Sequence, residues 1–120
     1  MGIAVDQNGN LYVANQGDNT IEKFNSSGQG TVFTSSGLNQ PIGPAFDSGG
    51  NLYAANAGSS TIEKFNSSAQ GTLFANSGLS NPVGIAFDSS GNLFMADSTL
   101  GKTVRCDSER LRRGAGNFRQ

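Results

Sequence analysis

Histidine and tryptophan are absent from these 120 residues, and a single cysteine, Cys106, stands near the end. Without histidine the chain lacks the commonest general base and the commonest transition-metal ligand. One thiol can form neither an internal disulfide nor a thiolate metal cluster. Charged residues make up only 14%, against roughly a quarter in an average domain. No apolar run approaches membrane-spanning length, so no membrane partner is expected. No secretory leader is visible either, because Met1 runs straight into a repeat. A soluble chain is the expectation, and a secreted or periplasmic setting for a longer parent stays open. Leu, Ile, Val and Phe number 26, a thin but adequate supply for a core. Gly, Ser and Asn fill the space that charge leaves, as in all-β chains with many tight turns.

What is present is periodic. Gly2-Ile3-Ala4-Val5-Asp6 returns as Gly43-Pro44-Ala45-Phe46-Asp47 and as Gly84-Ile85-Ala86-Phe87-Asp88, each time 41 residues on. Leu11-Tyr12-Val13-Ala14-Asn15 matches Leu52-Tyr53-Ala54-Ala55-Asn56 and Leu93-Phe94-Met95-Ala96-Asp97. Thr20 to Ser27 reappears unchanged at Thr61 to Ser68. Each full unit holds four short apolar segments of strand length, separated by turn residues such as Asn8-Gly9. No stretch of the repeats has a helical period. Four strands in roughly 40 residues is the measure of a propeller blade. Apolar side chains on both faces of the strands, as at Leu11, Tyr12 and Val13, call for sheets covered on both sides. Pro44 suits an innermost strand, which is an edge strand and tolerates a missing N–H. The fold class expected is therefore all-β, with propeller blades of four antiparallel strands in three repeats of 41 residues. Blades are assigned to 1–42, 43–83 and a partial third at 84–108, followed by a divergent tail at 109–120.

The run Pro82-x-Gly84-Ile85-Ala86-Phe87-Asp88-x-x-Gly91-Asn92-Leu93-Phe94-Met95-Ala96-Asp97 resembles the NHL repeat, as do its two sister units. NHL propellers are usually six-bladed. The wider group includes gluconolactonase-type lactonases and the streptogramin lyases. The resemblance covers residues 1–98. It implies a fold more than a function, because propellers host enzymes and binding modules alike.

The repeat erodes after Asp97. An offset of 82 residues maps Ile21 onto Thr103 and Phe24 onto Cys106, and no apolar triplet stands where a fourth strand belongs. All five Arg lie between Arg105 and Arg119. This end reads either as a foreign or frame-shifted tail or as a genuine divergent strand. The Arg cluster lacks interleaved aromatics before Phe118, so no nucleic-acid partner is expected.

Four sets of residues are candidates for chemistry. Asp6, Asp47 and Asp88 precede the hairpin turns, where capping of turn amides outweighs metal binding: the Asp6 segment lacks the acid that completes a calcium loop. Asn15, Asn56 and Asp97 end the second strand of each unit. With Asn39 and Asn81 in the preceding connections they would ring one channel mouth as a ligand site. Asn15, Asn56 and Asp97 would be the metal ligands there, for Ca²⁺; turn formation is the competing reading. Glu22 and Glu63 adjoin Lys23 and Lys64, and a solvated or interblade ion pair is the plain account of them. Asn25-Ser26-Ser27 and Asn66-Ser67-Ser68 match a glycosylation pattern by accident of turn composition.

Resemblance to the lyases implies a histidine base that this chain lacks. Resemblance to the lactonases implies acidic and amide oxygens around a divalent metal, the part open to Asn15, Asn56 and Asp97. Two functions are thus expected. One is a self-assembling, non-catalytic scaffold that binds a small-molecule or protein ligand at the channel mouth. The other is a Ca-dependent hydrolase of lactones or esters. In either case the partner expected first is a second copy: two three-blade arcs close a six-bladed ring without open ends.

Overall fold

The structure is a computed structural model that describes residues 2–75, 82–88, 91–97 and 102–106. Their strands form three antiparallel meanders. The first sheet holds β1 (Ile3–Val5), β2 (Leu11–Asn15), β3 (Thr20–Phe24) and β4 (Gly30–Thr34) in chain order. The second holds β5 (Pro41–Phe46), β6 (Leu52–Asn56), β7 (Thr61–Phe65) and β8 (Gly71–Ala75). The third joins β9 (Pro82–Phe87), β10 (Leu93–Asp97) and β11 (Lys102–Cys106).

The repeat dictates the register. Leu11 pairs with Phe24, Leu52 with Phe65 and Leu93 with Cys106. The last pairing shows that the eroded segment still forms a third strand at the repeat position, because backbone pairing survives the loss of the apolar side chains at 103 and 106. The expected tail at 109–120 lies outside the described residues.

The first turn of each unit is closed by its aspartate. Asp6 Oδ1 accepts the N–H groups of Asn8 and Asn10, each at 2.9 Å. Asp47 Oδ1 does the same for Gly49 and Asn51, also at 2.9 Å, and Asp88 Oδ1 accepts Asn92 N–H at 2.8 Å. The chain then turns through a left-handed residue, Gly9, Gly50 or Gly91, with φ of 84°, 85° and 86°. Glycine enters that region without the steric cost other residues meet. The turns are the expected aspartate caps.

The sheets stack face to face. Tyr12 and Ile21 of the first sheet meet Leu52, Ala54 and Phe65 of the second. The opposite face of the second sheet sets Tyr53, Ala55, Ile62 and Phe74 against Leu93 and Met95 of the third. Edge-to-face aromatics repeat with the sequence: Tyr12 on Phe46 and Tyr53 on Phe87, both with ring centroids 4.9 Å apart. Every residue of β6 is buried, whereas burial in β2 alternates. The sequences are nearly the same; the second sheet has neighbours on both faces and the first on one.

The first strands of the sheets approach backbone to backbone at the repeated glycine. A methyl group on Gly2 would stand 2.6 Å from the Gly43 Cα, and one on Gly43 would stand 2.9 Å from the Gly84 Cα. No side chain fits in that gap. The same methyl on Gly84 meets nothing within 4 Å among the described residues. The three prolines, Pro41, Pro44 and Pro82, lie on β5 and β9, which are edge strands of their sheets.

Candidate functional site

Two ends of the stack carry polar side chains. At one, β2 runs into β3 and the connection 35–40 crosses from the first sheet to the second. The expected ligand residues belong here. Asn56 is 2% exposed, and its amide is fully engaged. Its Oδ1 accepts the Asn39 N–H at 3.1 Å, and its Nδ2 donates to the Gly37 carbonyl at 3.0 Å and to Thr61 Oγ1 at 3.3 Å. Asn19 Oδ1 holds the same connection from the first sheet by accepting Gln40 N–H at 2.7 Å. The Asn39 side chain lies over Gly58, where a methyl group would collide with it. Asn39 and Asn56 therefore come together, but through the backbone of one and the side chain of the other, as a clamp between sheets.

Asn15, the counterpart of Asn56, behaves differently. It has no preceding connection to hold among the described residues, and its Nδ2 donates to Glu22 Oε1 at 2.9 Å and to Thr20 Oγ1 at 3.2 Å. Asp97 ends β10 as expected, and its side chain, like the whole of Asn81, lies outside the described residues. Of the expected metal ligands only the neutral amide side chains of Asn15 and Asn56 are described, and Asn56 Oδ1 uses one of its two lone pairs on the Asn39 N–H. Among the described residues no group of three or more His, Cys, Asp or Glu side chains is placed to hold a metal.

The glutamates also depart from expectation. Among the described residues neither Glu22 nor Glu63 pairs with its neighbouring lysine. Lys23 Nζ instead lies 5.7 Å from the Tyr12 ring centroid, and Lys64 Nζ 5.8 Å from that of Tyr53. Glu63 sits beside Gly37 and Gly71, where burial pushes its carboxyl above the ordinary 4.5.

At the other end, the β1–β2 and β5–β6 turns frame a cavity of about 350 Å³ between the first two sheets. Asp6, Tyr12, Lys23, Phe33, Phe46 and Asp47 line it. Tyr12 Oη donates to Asp6 Oδ2 at 3.2 Å, and Tyr53 Oη to Asp47 Oδ2 at 3.0 Å. Burial raises the Tyr12 hydroxyl above 10, with the Lys23 ammonium opposing it. For Asp47, burial works to raise the carboxyl, but hydrogen bonds from Asn51, Tyr53 and Gly49 outweigh it and the net shift is downward from 3.8. Sequence reasoning did not find this tyrosine–aspartate link. Its signal was present: tyrosine follows aspartate by six residues at 6 and 12 and again at 47 and 53, with Phe94 the exception after Asp88.

No protein-family model matches this chain, and no curated protein does either. Solved structures do resemble it. Virginiamycin B lyase from Staphylococcus aureus superposes with a TM-score of 0.77 at 17% identity, over 98% of this chain and 39% of its own. A streptogramin B lyase gives 0.75 at 18% identity, over 90% and 37%. A chain of a nidogen/laminin complex gives 0.84 at 25% identity, over 99% and 46%. The likeness establishes the β-propeller fold. This chain spans less than half the length of each of these structures.

Proposed function

We propose that this stretch is an NHL-type propeller arc that acts as a non-catalytic scaffold. Its ends pair, two copies complete a six-bladed ring, and the ring offers its channel mouth to a small-molecule or protein ligand. One observation carries the reading. Leu11, Val13 and Phe24 are half-buried, while their counterparts Leu52, Ala54 and Phe65 are 1%, 0% and 1% exposed. The residue types nearly match and the register is the same; only the cover differs. Ile3 and Val5, paired in register with Val13 and Leu11, lie on the same open face and are each 60% exposed. An apolar face of this kind in water is an interaction surface.

The hydrolase reading draws less support. It needs charged oxygens converging on a cation, and among the described residues no three acidic side chains do so. Lyase chemistry draws none from these residues: a histidine-to-alanine form of the S. aureus lyase is catalytically inactive, and this chain contains no histidine.

Size exclusion with light scattering tests the scaffold reading. Twice the 12.4 kDa chain mass is expected at micromolar concentration. A stable monomer overturns the reading. A larger even assembly keeps the pairing of ends but rejects the two-copy ring.

A further inference from the structure

We infer that the pairing is head to tail, with the outer face of the third sheet packing on the open face of the first sheet of a second copy, and with Gly84 of one copy against Gly2 of the next. This rests on the end-pairing reading above and specifies the surface that performs it.

The chain already contains this contact twice. The first sheet turns Tyr12 and Ala14 toward the second, and the second turns Tyr53 and Ala55 toward the third; all four are buried. The receiving sides are Leu52, Ala54 and Phe65 in one case and Leu93 and Met95 in the other. The third sheet repeats the donating face with Phe94 and Ala96, but Phe94 is only half-buried and Ala96 is exposed. The first sheet repeats the receiving face with Leu11, Val13 and Phe24, which are half-buried. What lies uncovered at one end is the pattern covered internally by what lies uncovered at the other. A contact between unlike faces of this kind is heterologous, and it closes into a ring when the rotation per sheet allows.

The glycines give the contact its direction. Each of Gly2 and Gly43 aims its missing side chain at the Cα of the glycine in the following sheet, at 2.6 and 2.9 Å. Gly84 aims at open space among the described residues, and its φ lies outside the left-handed region, so a side chain can be added without backbone strain. Continuing the internal contact by one step brings Gly2 of the second copy into that space. The position that tolerates a side chain within one copy is the one that forbids it between copies. A like-face arrangement, first sheet on first sheet, makes no use of Gly84.

The experiment compares the full chain with Gly84→Val and, on the same face, Ala96→Glu. Both variants are expected to keep the wild-type far-UV spectrum and to weaken self-association by at least about tenfold, a change of roughly 1.4 kcal/mol. Ala96→Glu adds only a surface charge in the single chain, so it remains informative if Gly84→Val misfolds. A dimeric wild type whose two variants associate equally well overturns the head-to-tail contact and leaves the scaffold reading standing. A monomeric wild type, as when residues 107–120 or an unrelated protein cover the third sheet, overturns both.

Discussion

The side-chain oxygen of Asn56 accepts the backbone N–H of Asn39 across 17 residues of chain, at 3.1 Å. The same side chain gives its two amide hydrogens to Gly37 and Thr61. One buried residue thus satisfies two backbone groups of a connection that has no strand partner for them. Replacing Asn56 with Ala leaves a carbonyl and an N–H without their partner. The expected loss is about 1–3 kcal/mol, the range for an orphaned buried polar group. Asn15→Ala removes only bonds to half-buried side chains and should cost about 1 kcal/mol or less. Urea denaturation of the two variants checks the difference. Equal losses would mean that Asn56 is not a clamp.

Two carboxyls should pull stability in opposite directions with pH. The Asp47 value is depressed from 3.8 because its hydrogen bonds outweigh burial. Its contribution to stability is present above 3.8 and is lost as pH falls through the lower folded value. The Glu63 value is raised from 4.5 by burial. Its contribution is present below 4.5 and is lost as pH rises through the higher folded value. Glu63→Gln should therefore melt higher than wild type at pH 7, with the gain shrinking as pH falls through the raised folded value and gone by about 4.5. Asp47→Asn should melt lower at pH 7, with the deficit shrinking as pH falls below 3.8. Thermal melts between pH 3 and 7 measure both signs, and a same-sign response would contradict the assigned causes.

Much of this architecture is legible in the residues. Asp6-Gln7-Asn8-Gly9-Asn10 specifies a turn because aspartate caps it and Gly9 can take a positive φ; both are local facts. Strand register follows from the 41-residue period. The clamp at Asn56 is not legible, since an asparagine at a strand end is equally suited to a turn, and its partners Gly37 and Asn39 are fixed only when two sheets meet. Nor is the bond from Asn15 Nδ2 to Glu22 Oε1 legible, because the pairing of β2 with β3 is what brings the two side chains together. The strand at Lys102–Cys106 was legible only in length, because hydrogen bonding to β10 needs none of the apolar side chains that a pattern detects.

Gly28 and Ala69 occupy the same position in sister turns, with φ of 81° and 64°. The turns are otherwise alike: Asn25 Oδ1 accepts Ser27 and Gln29 N–H, and Asn66 Oδ1 accepts Ser68 and Gln70 N–H. Alanine in the left-handed region is strained by about 1–2 kcal/mol, partly offset by the greater freedom glycine has in the unfolded chain. Ala69→Gly should stabilise by about 0.5–1 kcal/mol, and Gly28→Ala should destabilise by a similar amount. Paired denaturation curves decide it; a loss on Ala69→Gly would refute the strain.

The repeat supplies its own control for the covered and uncovered faces. Leu11 and Leu52 pair with Phe24 and Phe65 in the same register and face the same way on successive sheets. Leu52 is 1% exposed and Leu11 is half-buried. Truncating a buried leucine to alanine costs about 2–5 kcal/mol, through lost transfer energy and the cavity left behind. Leu52→Ala should pay that in any state of association. Leu11→Ala should cost distinctly less while its face is open, and approach the Leu52→Ala value once a second copy covers it. Measured in a Gly84→Val background held monomeric, the two substitutions should differ; measured in the assembled wild type, they should converge. A Leu11→Ala cost that ignores the state of assembly would show that the open face of the first sheet is not what the second copy covers.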